Sequence, residues 1–340
     1  MTDPVRERCE LLVENRSNIH KSFLLEKELM SVASALIFTS KGEKADIDKL
    51  KEARKILNRS AGPFSNLKAI VELALISKMA LSPDPEGYLK DFMSVYKKVC
   101  GGKLIGNDFM VLSSILILEF DLQDDSEDII ARANALTKKM KADHPFLTAM
   151  DDTSFITFLA ISGKNEDQII SDLEDGYTYL TKTCKTSVGS DAAYELCEVL
   201  AVSYGDMKDK IDRVLRIYEA LRRQDKEYGS GSAFSALGSL IDADIEPERL
   251  AEEIIEAENF LKGSKGFGNQ STERSHRVMI ATLIVSSVYS KDIASADNAV
   301  ISNILSFVWA KEICNMISMA SSAAPTVIGA FTKTSDDSKK

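Results

Sequence analysis

The stretch DDTSFITFLAIS (Asp151–Ser162), followed by IISDLEDGYTYL (Ile169–Leu180), decides the fold of this chain. The first segment is an apolar run behind a polar start. In the second, the apolar residues are spaced 3, 4 and 3 positions apart, which is the stripe of an amphipathic helix. The two segments therefore predict a pair of helices. The stripe consists of Ile170, Leu173, Tyr177 and Leu180.

Copies of this pair recur along the chain. Seven apolar runs each contain a leucine, and successive leucines lie 37 to 43 residues apart. A period of roughly 40 residues in a helical sequence indicates stacked helix pairs. The leucines are Leu36, Leu73, Leu116, Leu159, Leu200, Leu240 and Leu283.

The second helix of the pair recurs with the same period. Ile211–Leu221 repeats the stripe 41 residues on, and Leu89–Val99 repeats it earlier, each time with tyrosine third. The joints between pairs carry glycine and then Asn, Asp, Ser or Thr, as helix ends and helix starts prefer. No stretch alternates as a strand does. The sequence predicts an all-α fold of about seven stacked helix hairpins of ~40 residues, an α-solenoid or αα-superhelix that is either open or curved toward a toroid.

The N-terminal region carries local helix signals of its own. Asp3 is expected to be the N-cap of a helix Asp3–Ile19, with Pro4 at its first position. A second helix is expected at Ser22–Phe38. Asp46 is predicted to cap a third helix that runs to about Asn58.

Composition changes near the C-terminus. Between residues 298 and 332 only Lys311 and Glu312 are charged. The apolar part of Ala299–Ile317 is shorter than the ~20 residues that a membrane span needs. We expect a repeat domain at residues 1–291, an apolar helix packing on it within 292–331, and a disordered tail at 332–340. Residues 298–331 also offer a surface for oligomerisation.

Charge and cysteine content restrict the class of protein. The net charge of −10 opposes binding to nucleic acid, because every phosphate contact meets a repulsive background. The five cysteines show no Cys-x-x-Cys spacing, which favours reduced thiols. The start, MTDPVRERCELLVENR, lacks the apolar run of a signal peptide. A cytoplasmic protein is expected.

Three segments resemble ligand motifs without completing them. Asp124–Asp128 contains Asp-Asp-x-x-Asp, which binds Mg²⁺ in prenyl-transferring enzymes, but its partner motif is missing, so helix capping is predicted. Gly263–Gly268 lacks the Gly-Lys-Ser/Thr ending and the preceding strand of a phosphate loop. Asp242, Asp244, Glu246 and Glu253 follow calcium-loop spacing, but Pro247 stands where the turn requires glycine.

The histidines and tyrosines give no site either. His20, His144 and His276 lie outside metal-ligand spacing of one another and are expected to be caps or surface groups. His276 lies beside Arg274 and Arg277, which suggests a small basic spot. Spacing alone does not decide a Ser/His or Cys/His arrangement, and no residue supports one. We predict no catalytic, cofactor-binding or metal-binding residue, and no cofactor. The tyrosines at the shared repeat position are expected to pack in the core with their hydroxyls at its rim: Tyr96, Tyr177 and Tyr218.

Three segments carry a family resemblance. They are HPFLTAMDDTSFITFLAIS (His144–Ser162), IISDLEDGYTYL, and AAYELCEVLAVS (Ala192–Ser203). The chain resembles, roughly from Leu24 to Tyr289, a bacterial family of uncharacterised helical proteins, the domain-of-unknown-function family numbered four thousand and three. The shared motifs are structural. The resemblance implies an all-helical fold and no particular activity.

Two functions compete. A stacked helical array usually exposes a concave surface for a protein or peptide, so a non-catalytic binding or regulatory module is the first hypothesis. The alternative is an enzyme with an acidic, Mg²⁺-dependent cavity inside a closed toroid. A closed ring with clustered inward carboxylates would favour the enzyme, whereas an open groove would favour the binding module. Peripheral membrane association through residues 298–331 is a third hypothesis.

Overall fold

The computed structural model describes residues 1–61, 67, 71–101, 107–143, 153–183, 188–203, 205–225, 228 and 232–289. The regular elements within these ranges are helices. They are α1 (Asp3–Ser22), α2 (Glu28–Ser40), α3 (Ile47–Ser60), α4 (Glu72–Leu81), α5 (Pro85–Val99), α6 (Asp108–Glu119), α7 (Ser126–Asp143), α8 (Thr153–Ile161), α9 (Glu166–Thr183), α10 (Ser190–Ala201), α11 (Met207–Gln224), α12 (Ser232–Ser235), a 3-10 helix (Ala236–Leu240), α13 (Pro247–Gly263) and α14 (Arg274–Tyr289).

The even-numbered helices form the interior. In α2, ten consecutive residues from Met30 to Thr39 are buried, and α10 and α14 contain similar runs. A helix that is buried on every face must be covered by neighbours on all sides. The seven leucines that reveal the period lie in these helices or in the 3-10 helix, each at most 2% exposed.

The odd-numbered helices form a second layer around this interior. Each from α1 to α11 contacts the next odd-numbered helix, and α13 contacts α1. They are amphipathic: in α11 the residues Ile211, Val214, Tyr218 and Leu221 are all buried, whereas Asp209 and Arg216 are exposed. The predicted stripe is therefore the buried face of α11.

Buried hydroxyl groups join neighbouring interior helices. The Ser34 and Ser77 hydroxyl oxygens lie 2.6 Å apart, and Thr157 Oγ1 donates to Ser113 Oγ at 3.0 Å. Small residues let two helices approach closely, and each hydroxyl gains a hydrogen bond that it would otherwise lose on burial.

Polar contacts fasten the start of α1 to the last helix pair. The Thr2 N–H donates to both carboxylate oxygens of Glu253, at 3.1 and 2.9 Å. Arg249 donates to the same carboxylate at 2.5 Å, and Thr2 Oγ1 lies 3.0 Å from the Tyr289 hydroxyl. Glu253 is completely buried. Because α1 also packs on α13 and α14, the first and last helix pairs are in contact.

Two expectations for the N-terminal region are wrong in detail. Thr2 is the N-cap residue of α1, and Asp3 is already helical. The second helix begins at Glu28 and not at Ser22, because Phe23 turns inward, is 5% exposed and packs under the Arg54 guanidinium. The predicted cap of the third helix is confirmed, since Asp46 accepts hydrogen bonds from the N–H groups of residues 48 and 49.

The apolar run around Leu240 is a 3-10 helix and not part of a long α-helix. Gly238 explains the close approach of this element to α10, since a Cβ there would lie 2.6 Å from Val199 Cγ1. This unit therefore packs its backbone directly against its neighbour.

Several expectations concern segments outside the described residues. They include the joint at 144–152, the apolar helix within 292–331 and the tail at 332–340. Within the described ranges, no helix has the length and apolar character required to cross a membrane. The repeat arrangement itself stays a prediction.

Replacing Glu253 with alanine should loosen the contact between the first and last helix pairs. The change leaves the Thr2 N–H without its acceptor, and we expect the free energy of unfolding in urea to fall by about 2 kcal/mol. Glu252→Ala is the matched control, since Glu252 is half-exposed and pairs only at the surface with Arg249. Equal losses in the two variants would contradict a fastening role for Glu253.

Candidate functional site

A cavity of about 610 Å³ lies between α11, α13 and α14. Its apolar wall is formed by Ile254, Ile255 and Val278. Its polar wall carries both charges: the cations are Lys262, Arg274 and Arg277, and the anions are Asp225, Glu258 and Glu273. The volume falls within the range of small-ligand and side-chain pockets.

Arg277 fixes the floor of this cavity. The side chain is 1% exposed. Its Nε donates to Glu258 Oε1 at 2.9 Å, its Nη2 donates to Asn269 Oδ1 at 2.8 Å, and its Nη1 donates to the Thr272 carbonyl. A buried guanidinium is tolerated only when its donors are satisfied in this way. Arg277 therefore holds α13, α14 and the joint between them in one arrangement.

The predicted basic spot around His276 is wrong. Arg277 pairs with Glu258, and Arg274 forms an ion pair with Asp225 at the end of α11. His276 is half-buried, and burial lowers its pKa although Glu273 opposes the shift. Acidic residues from other parts of the chain therefore neutralise Arg274 and Arg277. His276 lies on a partly buried face of α14.

Two buried lysines meet at the end of α10. Lys164 Nζ donates to the carbonyls of Ala201 (2.7 Å) and Ser203 (3.1 Å) and contacts Asp172. Lys210 Nζ donates to the carbonyls of Leu200 (2.7 Å) and Ser203 (3.0 Å). The last carbonyls of a helix lack intrahelical donors and carry the negative end of its dipole. Both ammonium groups therefore cap α10.

The position of Lys210 disfavours its charged form. Burial, and then the neighbouring Lys164, lower its pKa from 10.5 to about 8, while Asp172, Asp242 and Asp206 oppose the shift. A lysine nucleophile also has a lowered pKa, but it needs access to substrate. Lys210 is only 8% exposed, so the geometry supports capping. Sequence reasoning missed both lysines because their partners lie in other segments.

The three near-motifs belong to structural elements. Ser126 begins α7, with Glu127 and Asp128 in its first turn, as the capping interpretation of the acidic cluster predicts. Gly263 ends α13, and Glu246 precedes the first residue of that helix. Among the described residues, no group of three or more His, Cys, Asp or Glu side chains is placed to hold a metal ion.

The described thiols are shielded from solvent. Cys9, Cys100 and Cys197 are buried and free, and burial raises the pKa of Cys9 and of Cys197 to about 12. His20 is also buried at Nδ1, and burial, with Arg16 and Lys265, lowers its pKa. His144, Cys184 and Cys314 lie outside the described residues.

The tyrosines at the shared position lie in helix interfaces. Tyr218 is 4% exposed and meets Phe234 edge-on at 5.0 Å. Tyr96 and Tyr177 are half-buried: Tyr96 stacks on Phe92 at 5.6 Å, and Tyr177 meets Tyr194 edge-on. Their placement agrees with the predicted packing role.

Comparison with known proteins gives one result. The chain matches, over residues 15–313, the family described as "Protein of unknown function (DUF4003)". The chain belongs to this family. The match includes every segment on which the resemblance rests. No curated protein and no solved structure matches the chain.

Gly266 should be intolerant of a side chain. Its φ is +88°, and a Cβ would overlap the Arg16 guanidinium of α1. We expect Gly266→Ala to lower the free energy of unfolding by about 2 kcal/mol. Gly263→Ala is the control, since nothing lies within 4 Å of a Cβ there. Similar thermal unfolding of both variants would show that the joint does not depend on this close contact.

Lys210 predicts a pH-dependent stability. Below pH 8 the Lys210 ammonium is charged in both the folded and the unfolded state, and burying this charge lowers the stability of the folded state. Between pH 8 and 10.5 the folded state loses the proton while the unfolded state keeps it, so this loss of stability disappears as the pH rises. The stability of the natural protein relative to Lys210→Met should therefore increase between pH 7 and 10.5, on the order of 3 kcal/mol.

Urea unfolding at several pH values measures this difference. Lys208→Met removes an exposed lysine from the same helix and is the control variant. Parallel curves for the natural protein and Lys210→Met would contradict the cost of burying this charge.

Proposed function

We propose that the chain is a non-catalytic protein- or peptide-binding module built as a closed toroid of helix pairs. The contact of α13 with α1, reinforced by Glu253 and Thr2, supports closure. In a closed arrangement the interior is occupied by the even-numbered helices. A partner is then bound at the outside or edge of the toroid, and not on an open concave surface.

The observation that carries the proposal is the 610 Å³ cavity between α11, α13 and α14. Its walls are preorganised, because Arg277 and Arg274 are held by carboxylates from other helices. Ile254, Ile255 and Val278 supply apolar surface beside these fixed polar groups. Such a combination suits one or two side chains of a peptide segment, since little entropy is lost on ordering the site.

The enzyme alternative needs carboxylates that converge inside the toroid. Contacts between the described interior helices include hydroxyl pairs such as Ser34 with Ser77, and the Glu195 carboxylate of α10 is engaged by the Ser235 hydroxyl of α12. The buried thiols of Cys9 and Cys197 are poor nucleophiles at neutral pH, because the thiolate is the reactive form. These features favour binding over catalysis. A cytoplasmic location, the absence of a nucleic-acid partner, and oligomerisation or membrane contact through residues 298–331 remain parts of the proposal.

Site-specific photo-crosslinking in cells tests the binding function. A benzophenone side chain replaces Ile255, which is half-buried in the cavity wall, or Lys55, which is 72% exposed on α3. We expect one discrete protein adduct from position 255 and none from position 55. Identical adducts from both positions, or no protein adduct from position 255, would contradict the proposed binding function.

A further inference from the structure

One position of the odd-numbered helices is charged in successive units. It is Asp91 in α5, Arg132 in α7, Asp172 in α9 and Arg213 in α11, and these residues are 40 or 41 positions apart. Arg8 in α1 stands 83 residues before Asp91, close to twice this interval. The charge is therefore a property of the position, while its sign varies.

The arginines at this position cap the even-numbered element that follows. Arg132 Nη2 donates to the Lys164 carbonyl beyond α8 at 2.6 Å, and Arg213 Nη2 donates to the Ala243 carbonyl beyond the 3-10 helix at 2.5 Å. Arg8 Nη1 donates likewise to the Thr39 carbonyl of α2 at 2.6 Å. Each guanidinium fills the space between an odd-numbered helix and the end of the next even-numbered element.

Where this position holds an aspartate, a lysine from another segment supplies the cation. In α9 the residue is Asp172, and the ammonium of Lys164 lies between its carboxylate and the carbonyls of Ala201 and Ser203. The cation thus occupies the place that a guanidinium occupies in the neighbouring units. A carboxylate and helix-end carbonyls together form a site for a positive charge.

In the unit of Asp91 that place is a cavity of about 320 Å³. Lys164 precedes Asp172 by eight residues, whereas the residue eight before Asp91 is Pro83, which has no charge to offer. Asp91 lines the cavity together with Asp121 and Gln123 from the segment after α6. Within the described part of the chain, neither Asp91 nor Asp121 has an ion pair.

The other charged groups around the cavity do not replace the missing cation. Lys78 Nζ lies 2.5 Å from Glu119 Oε2, so this pair is already satisfied. Lys41 lines the cavity and is exposed, as Asp91 and Asp121 are, and it forms no ion pair with either carboxylate within the described residues.

A buried hydroxyl also points to a ligand. Tyr88 lines the same cavity, and its hydroxyl oxygen is buried without a hydrogen-bond partner among the described residues. A buried polar atom without a partner is costly unless a ligand or water satisfies it.

We propose that this cavity binds an alkylguanidinium or alkylammonium group. The cation takes the place of the missing arginine, with its N–H groups donating to the Asp91 carboxylate, the carbonyls of residues 121–123 and the Tyr88 hydroxyl. The cavity has room for the cationic end of a small molecule or for one basic side chain. This site is separate from the 610 Å³ cavity, so it does not depend on the proposed binding function.

Calorimetric titration of the full chain with propylguanidinium chloride at constant ionic strength tests the site. Tetramethylammonium is the ligand control, because it carries the charge without N–H donors. We expect it to bind at least about tenfold more weakly, since charge-assisted hydrogen bonds supply the affinity. N-acetyl-arginine amide carries the same group on a peptide backbone. Tighter binding of this compound assigns the cavity to an arginine side chain, and weaker binding assigns it to a small molecule.

Asp91→Arg is the decisive variant. Its guanidinium should reach the carbonyls of residues 121–123, as Arg132 and Arg213 reach theirs, so binding should be lost while Tm rises. Asp91→Asn should weaken binding about tenfold without filling the cavity. This variant replaces Asp91→Arg as the test if the arginine variant does not fold. Tyr88→Phe should also weaken binding.

Asp124→Asn removes a neighbouring charge that lies outside the cavity lining and should bind as the natural protein does. Unchanged binding by the Asp91 variants, or no preference for propylguanidinium over tetramethylammonium, would overturn the site.

Discussion

The interaction on which this fold depends is the hydrogen bond between a cation and the last carbonyls of a buried helix. The even-numbered helices are covered on all faces, so water reaches their ends poorly and the free carbonyls need donors from the protein. Lys164 and Lys210 supply these donors at the end of α10. Arg132 and Arg213 donate to the carbonyls of the segments that follow α8 and the 3-10 helix. The same bonds fix the position of each outer helix along the axis of the inner helix that it contacts. Capping of the inner helices and packing of the outer ones therefore depend on the same residues.

The contact between the first and last described helix pairs covers apolar surface at the ends of the helical array. An open array leaves an apolar flank at each end, and solenoid proteins cover these flanks with polar terminal repeats. Here α1 packs on α13 and α14, and the completely buried Glu253 receives the Thr2 N–H. Among the described helices, α1 therefore covers apolar surface of α13 and α14, and they cover apolar surface of α1.

Local patterns predicted much of this fold. The leucine period located the interior helices, and the caps Asp46 and Asn107 were predictable because their acceptor oxygens serve N–H groups two or three residues away. The start of α2 was wrong, since Phe23 is held by Arg54 from another helix. Arg277 and the lysine pair were also beyond sequence reasoning, because their partners lie 5 to 39 residues distant and several are backbone carbonyls that no residue type reveals.

The bond between Thr2 and Glu253 has a consequence for the order of folding. The two residues are 251 positions apart, so the loop that this bond closes contains most of the described chain. Local helix pairs form early, whereas a contact of this separation forms only after the intervening pairs have stacked. During synthesis α1 emerges before α13 and α14 and cannot pack on them until they are made. Its apolar flank is therefore exposed throughout translation of the intervening chain, and this is the stage at which the protein is most open to aggregation or to the help of a chaperone.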